Sequence, residues 1–90
     1  MREARVTVTN DLGLHARAAA QLVRMARKFS SSIKLTREDN GESANAKSIL
    51  SLLYIAASKG VMMTITVEGD DEKEAIFSIE RLFVEGFGEL

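Results

Sequence analysis

The chain contains a single histidine, His15, two residues ahead of Arg17. An imidazole has a reference pKa of about 6.5, so near neutral pH much of it is neutral, with a nucleophilic nitrogen able to accept a phosphoryl group. His15 lies between the turn former Gly13 and a helical run that opens at Ala16. Unpaired backbone N–H groups and the positive dipole end at such a helix start favour an arriving dianion, and Arg17 adds a cation. Dipole effects of ~0.3–1 kcal/mol tune the stability of a phosphohistidine without creating its reactivity. The same position also suits a histidine that only caps or packs, and residue type and spacing do not choose between the two. Ser48 is the second candidate, because a hydroxyl before a helical run serves as an N-cap worth roughly 1 kcal/mol. A phosphate placed there would meet a favourable dipole.

The surrounding pattern predicts the elements that must hold these groups. Ala4, Val6 and Val8 alternate with Arg5, Thr7 and Thr9, the period of a half-buried strand over Ala4–Thr9. From Ala16 to Phe29 the period becomes helical, with Ala19, Leu22, Val23, Ala26 and Phe29 on the buried face. Ile33 and Leu35 alternate with Lys34 and Thr36, and Asp39-Asn40-Gly41 then turns the chain into a short strand over Glu42–Asn45. Behind Ser48 a second helix buries Leu52, Ile55 and Ala56, with Gly60 as its expected left-handed terminator. Met63, Ile65 and Val67 give a fourth strand. Asp70, Asp71 and Glu72 open a third helix whose stripe is Ala75, Ile76, Ile79, Leu82 and Phe83, closed by Gly86 and Gly88. Each strand has one apolar face and each helix one apolar stripe, so the expected fold is α+β. It is a two-layer open-faced sandwich of order βαββαβα, with three helices on one face of a four-stranded, mostly antiparallel sheet. Strand order does not follow from these patterns.

Composition narrows the classes further. Ninety residues suffice for one domain, spanning residues 1–90. The absence of cysteine excludes disulfides and thiolate metal sites, and one histidine leaves little for zinc, so neither metal nor cofactor is expected. Twelve Lys and Arg against 13 Asp and Glu give no global electrostatic case for nucleic acid. No apolar run approaches the ~20 residues of a membrane span, so a soluble, cytoplasmic protein is expected.

The segment Gly13-Leu14-His15-Ala16-Arg17-Ala18-Ala19 closely resembles the active-site signature of HPr, the histidine-containing phosphocarrier of the bacterial phosphotransferase system. Asn45-Ala46-Lys47-Ser48-Ile49-Leu50-Ser51-Leu52-Leu53 resembles the family's second signature, and Lys59-Gly60, Glu68-Gly69-Asp70-Asp71 and Phe87-Gly88-Glu89 fall in family order. The resemblance spans essentially the whole chain. It implies that His15 accepts a phosphoryl group from phosphorylated enzyme I, with Arg17 as charge partner, and passes it to enzyme IIA domains or to counterparts in nitrogen-related regulatory branches. It implies a carrier rather than an enzyme, and a monomer. It also aligns Ser48 with the serine that HPr kinase/phosphorylase modifies in some members. Ala18 departs from the family, which usually has proline there, although alanine suits a helix start well.

Helix two offers more apolar residues than one stripe needs, notably Ile49, Leu50, Leu53 and Tyr54. The resemblance implies that these, with Ala16, Ala20, Arg24 and Arg27 of helix one, form a docking surface of apolar centre and basic rim suited to an acidic groove. Leu53 equally suits the core, and the arginines equally suit a solvated face. Two rivals need neither His15 nor Ser48. One is a ligand-sensing domain of the ACT type, suggested by the turn Asn10–Leu14. The other, an RNA-binding sheet, lacks stacking aromatics on its strands.

Overall fold

A computed structural model describes all 90 residues. The alternating strands take the register their apolar faces demand. β1 (Arg2–Thr7), β2 (Ser32–Arg37), β3 (Ser43–Asn45) and β4 (Met62–Glu68) form one sheet in the order β1-β4-β2-β3, antiparallel at every pairing. Ala4 stands opposite Ile65, which in turn stands opposite Leu35, and Leu35 opposite Ala44, so apolar positions line up across all four strands. The helices α1 (Ala16–Ala26), α2 (Ile49–Ile55) and α3 (Glu72–Val84) cover that face. The other face carries Arg5, Lys34, Thr36, Thr64 and Thr66.

The core joins Val6, Val8, Leu35, Met63, Ile65 and Val67 of the sheet side to Leu22, Leu52, Ile55, Ile79 and Phe83 of the helices. Fold class and element order are as the sequence pattern implies, with the sheet wholly rather than mostly antiparallel. Several boundaries move. β1 begins at Arg2 and ends at Thr7. α1 stops at Ala26, where Arg27 caps it, and Phe29 packs on the core from the turn beyond. α2 ends at Ile55, with Ala56, not Gly60, as the left-handed residue at φ 47°. Ala56 is accordingly exposed and Ala57 takes the buried position.

Tertiary contacts explain the early stop of α2. Arg37 donates to the carbonyls of Ile55 at 2.7 Å and Ala56 at 3.4 Å, satisfying acceptors that another helical turn would have used. Leu14 N–H donates to the Ala57 carbonyl at 2.8 Å. Gly13, at φ 67°, lies so close that a Cβ there would stand 2.5 Å from that carbonyl oxygen. The loop before His15 is thereby seated on the exit of α2.

A left-handed alanine costs roughly 1–2 kcal/mol against glycine, part of which glycine gives back in chain entropy. Ala56→Gly is therefore expected to raise stability by about 0.5–1 kcal/mol in urea titrations. Gly13→Ala should lower it by roughly 2 kcal/mol or more, because it combines a positive φ with overpacking against backbone.

Candidate functional site

α1 begins where its sequence pattern begins, and His15 is its N-cap. The ring nitrogen Nδ1 accepts the Arg17 backbone N–H at 3.3 Å, so the imidazole takes the place a serine or aspartate oxygen usually fills. The opposite nitrogen, Nε2, lies 2.5 Å from Glu89 Oε2. A carboxylate only accepts, so Nε2 carries the proton in the neutral ring and Nδ1 keeps its lone pair. That lone pair faces the free N–H groups at the start of α1.

Glu89 is the residue that sequence reasoning missed as a functional group. Its Oε1 accepts from Asn10 Nδ2 at 3.0 Å, and its Oε2 also faces Arg17 Nη2 at 3.4 Å. Asn10 in turn donates to the Gly13 carbonyl at 2.7 Å, which fixes its amide orientation, since a flipped amide would set Oδ1 against that oxygen. The Asn10 amide first, then the His15 ring and the Arg17 guanidinium, hold the Glu89 carboxyl below the usual carboxylate range.

Glu89 arrives by a left-handed turn in which Gly86, Phe87 and Gly88 all have positive φ, at 58°, 55° and 77°. Glycine takes this conformation freely, whereas Phe87 is held there because its ring is buried edge-on against Phe83 with centroids 5.0 Å apart. Gln21 Nε2 donates to the Phe87 carbonyl at 3.1 Å, tying the turn to α1. The glycine-phenylalanine-glycine run was the signal available in the sequence, but only the turn's direction shows what it delivers.

The remaining predicted residues divide. Arg17 stands beside His15, its side chain largely exposed. Ser48 is the N-cap of α2, accepting from Ser51 N–H at 3.2 Å. Ile49, Leu50, Leu53 and Tyr54 are 39%, 77%, 36% and 77% exposed, so the apolar surplus of α2 faces outward, with Leu53 at the edge of the core. Leu12, in the loop before His15, is a further exposed apolar residue. Ala16 and Arg24 are exposed and Ala20 is half-buried. Arg27 is exposed and also donates to the Lys47 carbonyl at 3.1 and 3.3 Å, joining the end of α1 to the residue before Ser48. Ala18 is fully buried in the first turn of α1, and the helix forms with it in place.

An open-faced α+β sandwich that presents one imidazole at a helix N-terminus, with an arginine beside it, defines a class of histidine-bearing carrier folds. Residues 2–85 match the family model described as the PTS HPr component phosphorylation site. The phosphocarrier protein HPr of Xylella fastidiosa is 43% identical over 99% of this chain and 98% of its own length. The crystal structure of a His-tagged HPr from Thermoanaerobacter tengcongensis superposes with a TM-score of 0.92 at 40% identity, covering 100% of this chain and 99% of that one. A crystal structure of an HPr dimer from the same organism matches with a TM-score of 0.76 at 42% identity, covering 99% and 100%. The chain belongs to the HPr family, the phosphocarrier proteins of the phosphotransferase system. This sets aside the ligand-sensing and RNA-binding alternatives. No helix is long and apolar enough to cross a membrane.

A depressed carboxyl pKa stabilises the fold fully above the ordinary value of about 4.3, and that contribution is lost as pH falls through the lowered one. The His15–Glu89 contact should therefore persist below pH ~4.3, seen as Glu89 side-chain carbon shifts in an NMR pH titration. In Glu89→Gln, ring ¹⁵N shifts of neutral His15 should move away from the pure Nε2–H tautomer. Unchanged shifts would show that Glu89 does not set it.

Proposed function

We propose that this chain carries a phosphoryl group on Nδ1 of His15, received from phosphorylated enzyme I and passed to enzyme IIA domains. The observation that carries this reading is the ring's arrangement, with Nε2 engaged by Glu89 and Nδ1 accepting the Arg17 N–H at the N-terminus of α1. The lone pair of Nδ1 attacks the phosphorus of the donor phosphohistidine. One N–P bond forms while the donor's N–P bond breaks, and the donor nitrogen leaves with the electron pair. The Nε2 proton stays where it is, so the transfer needs no proton movement within the carrier. Catalysis of such a step is largely positioning and charge stabilisation. Arg17 can leave its long contact with Glu89 to meet the phosphoryl oxygens, while the amides of α1 meet them from below. The protein is a stoichiometric intermediate rather than an enzyme, one chain holds the whole site, and the relay of this family is cytoplasmic.

The exposed Ile49, Leu50, Leu53 and Tyr54, with Leu12 beside the histidine loop, supply the apolar centre for enzyme I and IIA partners. Ala16, Ala20 and Arg24 border it from α1. Arg27 contributes by holding the start of α2 as well as by charge. Modification of Ser48 by HPr kinase/phosphorylase would place a charge of about −1.5 to −2 at the edge of this patch, opposing an acidic partner. The same chemistry would serve a nitrogen-related branch, and the recipient IIA domain distinguishes the two.

Incubation with enzyme I, Mg²⁺ and phosphoenolpyruvate should add one acid-labile phosphate by intact mass, and His15→Ala should add none. Retention of transfer in that variant would overturn the assignment. Arg17→Ala should slow acceptance by roughly a hundredfold, the scale for loss of one oxyanion donor. The Arg24→Glu, Arg27→Glu pair should lose enzyme I binding in calorimetry, and unchanged affinity would remove these residues from the interface.

A further inference from the structure

β1 is an edge strand, paired with β4 on one side and with nothing on the other. Backbone groups alternate sides along an antiparallel strand. Val8 N–H donates to the Val61 carbonyl at 3.0 Å and the Val8 carbonyl accepts from Gly60 at 2.8 Å. By alternation, Arg2, Ala4 and Val6 address β4, and the N–H and C=O groups of Glu3, Arg5 and Thr7 point outward. No proline blocks this edge, which is open to a further strand.

From this edge we infer that β1 pairs with β1 of a second copy of the chain, antiparallel, with Glu3 opposite Arg5 of the second copy. Hydrogen bonding requires outward residues to face outward residues, which leaves three close registers. Glu3 facing its own copy or Arg5 facing its own copy sets like charges opposite each other, a destabilising arrangement. The register between them sets Glu3 against Arg5 twice, by symmetry. Glu3 is exposed and, unlike its neighbours Arg2 and Arg5, which lie beside Glu72 and Glu38, has no partner within its own chain. Arg5 engages Glu38 through Nε and Nη2, leaving Nη1 to reach across. The dyad then passes at Ala4, where facing Cα atoms of a non-hydrogen-bonded pair approach to about 4.5 Å and a small side chain suits the space.

The helix layer leaves room for the same edge pairing, whichever register the strands take. α3 lies over β1 and β4. Leu82 lines a groove with Gln21, Arg24, Met25 and Lys28 of the α1 side, so that flank of α3 faces α1. At about 100° per residue the opposite flank carries Ile76, Glu80 and Lys73. Phe77 and Val84, on the side of α3 turned away from the sheet, are each 62% exposed, and the flank toward the edge is that of Ile76, Glu80 and Lys73. With strands about 4.8 Å apart, a helix seated over β1 and β4 sits about 5 Å from the dyad, which brings the two α3 helices to about 10 Å, a packing distance. Lys73 of one copy then runs antiparallel past Glu80 of the other.

Sedimentation velocity of the full chain from about 10 μM to 1 mM, the range of weak, small interfaces, tests this. Concentration-dependent dimer is expected, weakened at least tenfold in Glu3→Arg and in Arg5→Glu, with an equimolar mixture of the two variants regaining it. Ala4→Cys, the only thiol in the chain, should form an intermolecular disulfide under mild oxidation and keep the circular dichroism of the parent. That variant and Glu3→Arg decide the matter even if Arg5→Glu unfolds through its loss of Glu38. A strictly monomeric chain at the top of the range would overturn the proposal. So would a dimer indifferent to Glu3→Arg, the result expected if β1 were exchanged between copies or another face were used.

Discussion

The close approach of Gly13 to the exit of α2 is the constraint on which the site depends. A backbone carbonyl, Ala57 O, lies where a side chain at residue 13 would have to be, and the same oxygen accepts the Leu14 N–H. Three consequences follow from one contact. The loop of residues 10–14 is set at a fixed height above the sheet, α1 starts at Ala16, and His15 falls at its N-cap. On the other side of the contact, Arg37 grips the last carbonyls of α2 and Asp39 grips Arg37 in two bonds of 2.9 and 2.6 Å. The left-handed Ala56 is the local cost of ending α2 there.

Around this seat the imidazole is oriented from both sides. A helix start takes Nδ1 and a carboxylate takes Nε2, so a single neutral tautomer satisfies both partners. Glu89 does more than orient the ring, because it also shares Arg17. The unphosphorylated carrier thus already holds an anionic oxygen between its histidine and its arginine. The guanidinium contact, at 3.4 Å, is the longest of the three that hold the carboxylate and the easiest to exchange. A carrier must accept a group readily and release it readily, so an arginine held by a weak internal contact suits the task better than one locked in a bidentate pair such as Arg5–Glu38.

The two apolar surfaces left over have different characters. That of α2 contains no charge between Ile49 and Ile55. That of α3, made by Phe77 and Val84, faces away from the sheet and is mixed with Lys73, Glu80 and Arg81, and Arg81 stacks on Phe77 with its guanidinium carbon 5.9 Å from the ring centre. A two-layer fold with a sheet covered on one side leaves both an edge and an outer helix flank, and these coincide at β1 and α3.

Periodicity and turn chemistry in the sequence determined the order of elements, the buried face of each and the placement of His15 at a helix start, because these follow from local alternation and from residues a few positions apart. The same local logic made Ser48 an N-cap and marked the apolar surplus of α2. It placed the end of α2 wrongly, since Gly60 offered the better local terminator while the contacts that stop the helix come from Arg37 and Leu14, distant in the chain. It could not order the strands, because every strand has the same half-apolar pattern. Nor could it see that Glu89 meets His15, Asn10 and Arg17. Glu89 lies 74, 79 and 72 residues from these three in the chain, separations that carry no periodic signal. Only the folded sheet and the left-handed turn at Phe87, held by the burial of its ring, bring that carboxylate to the imidazole.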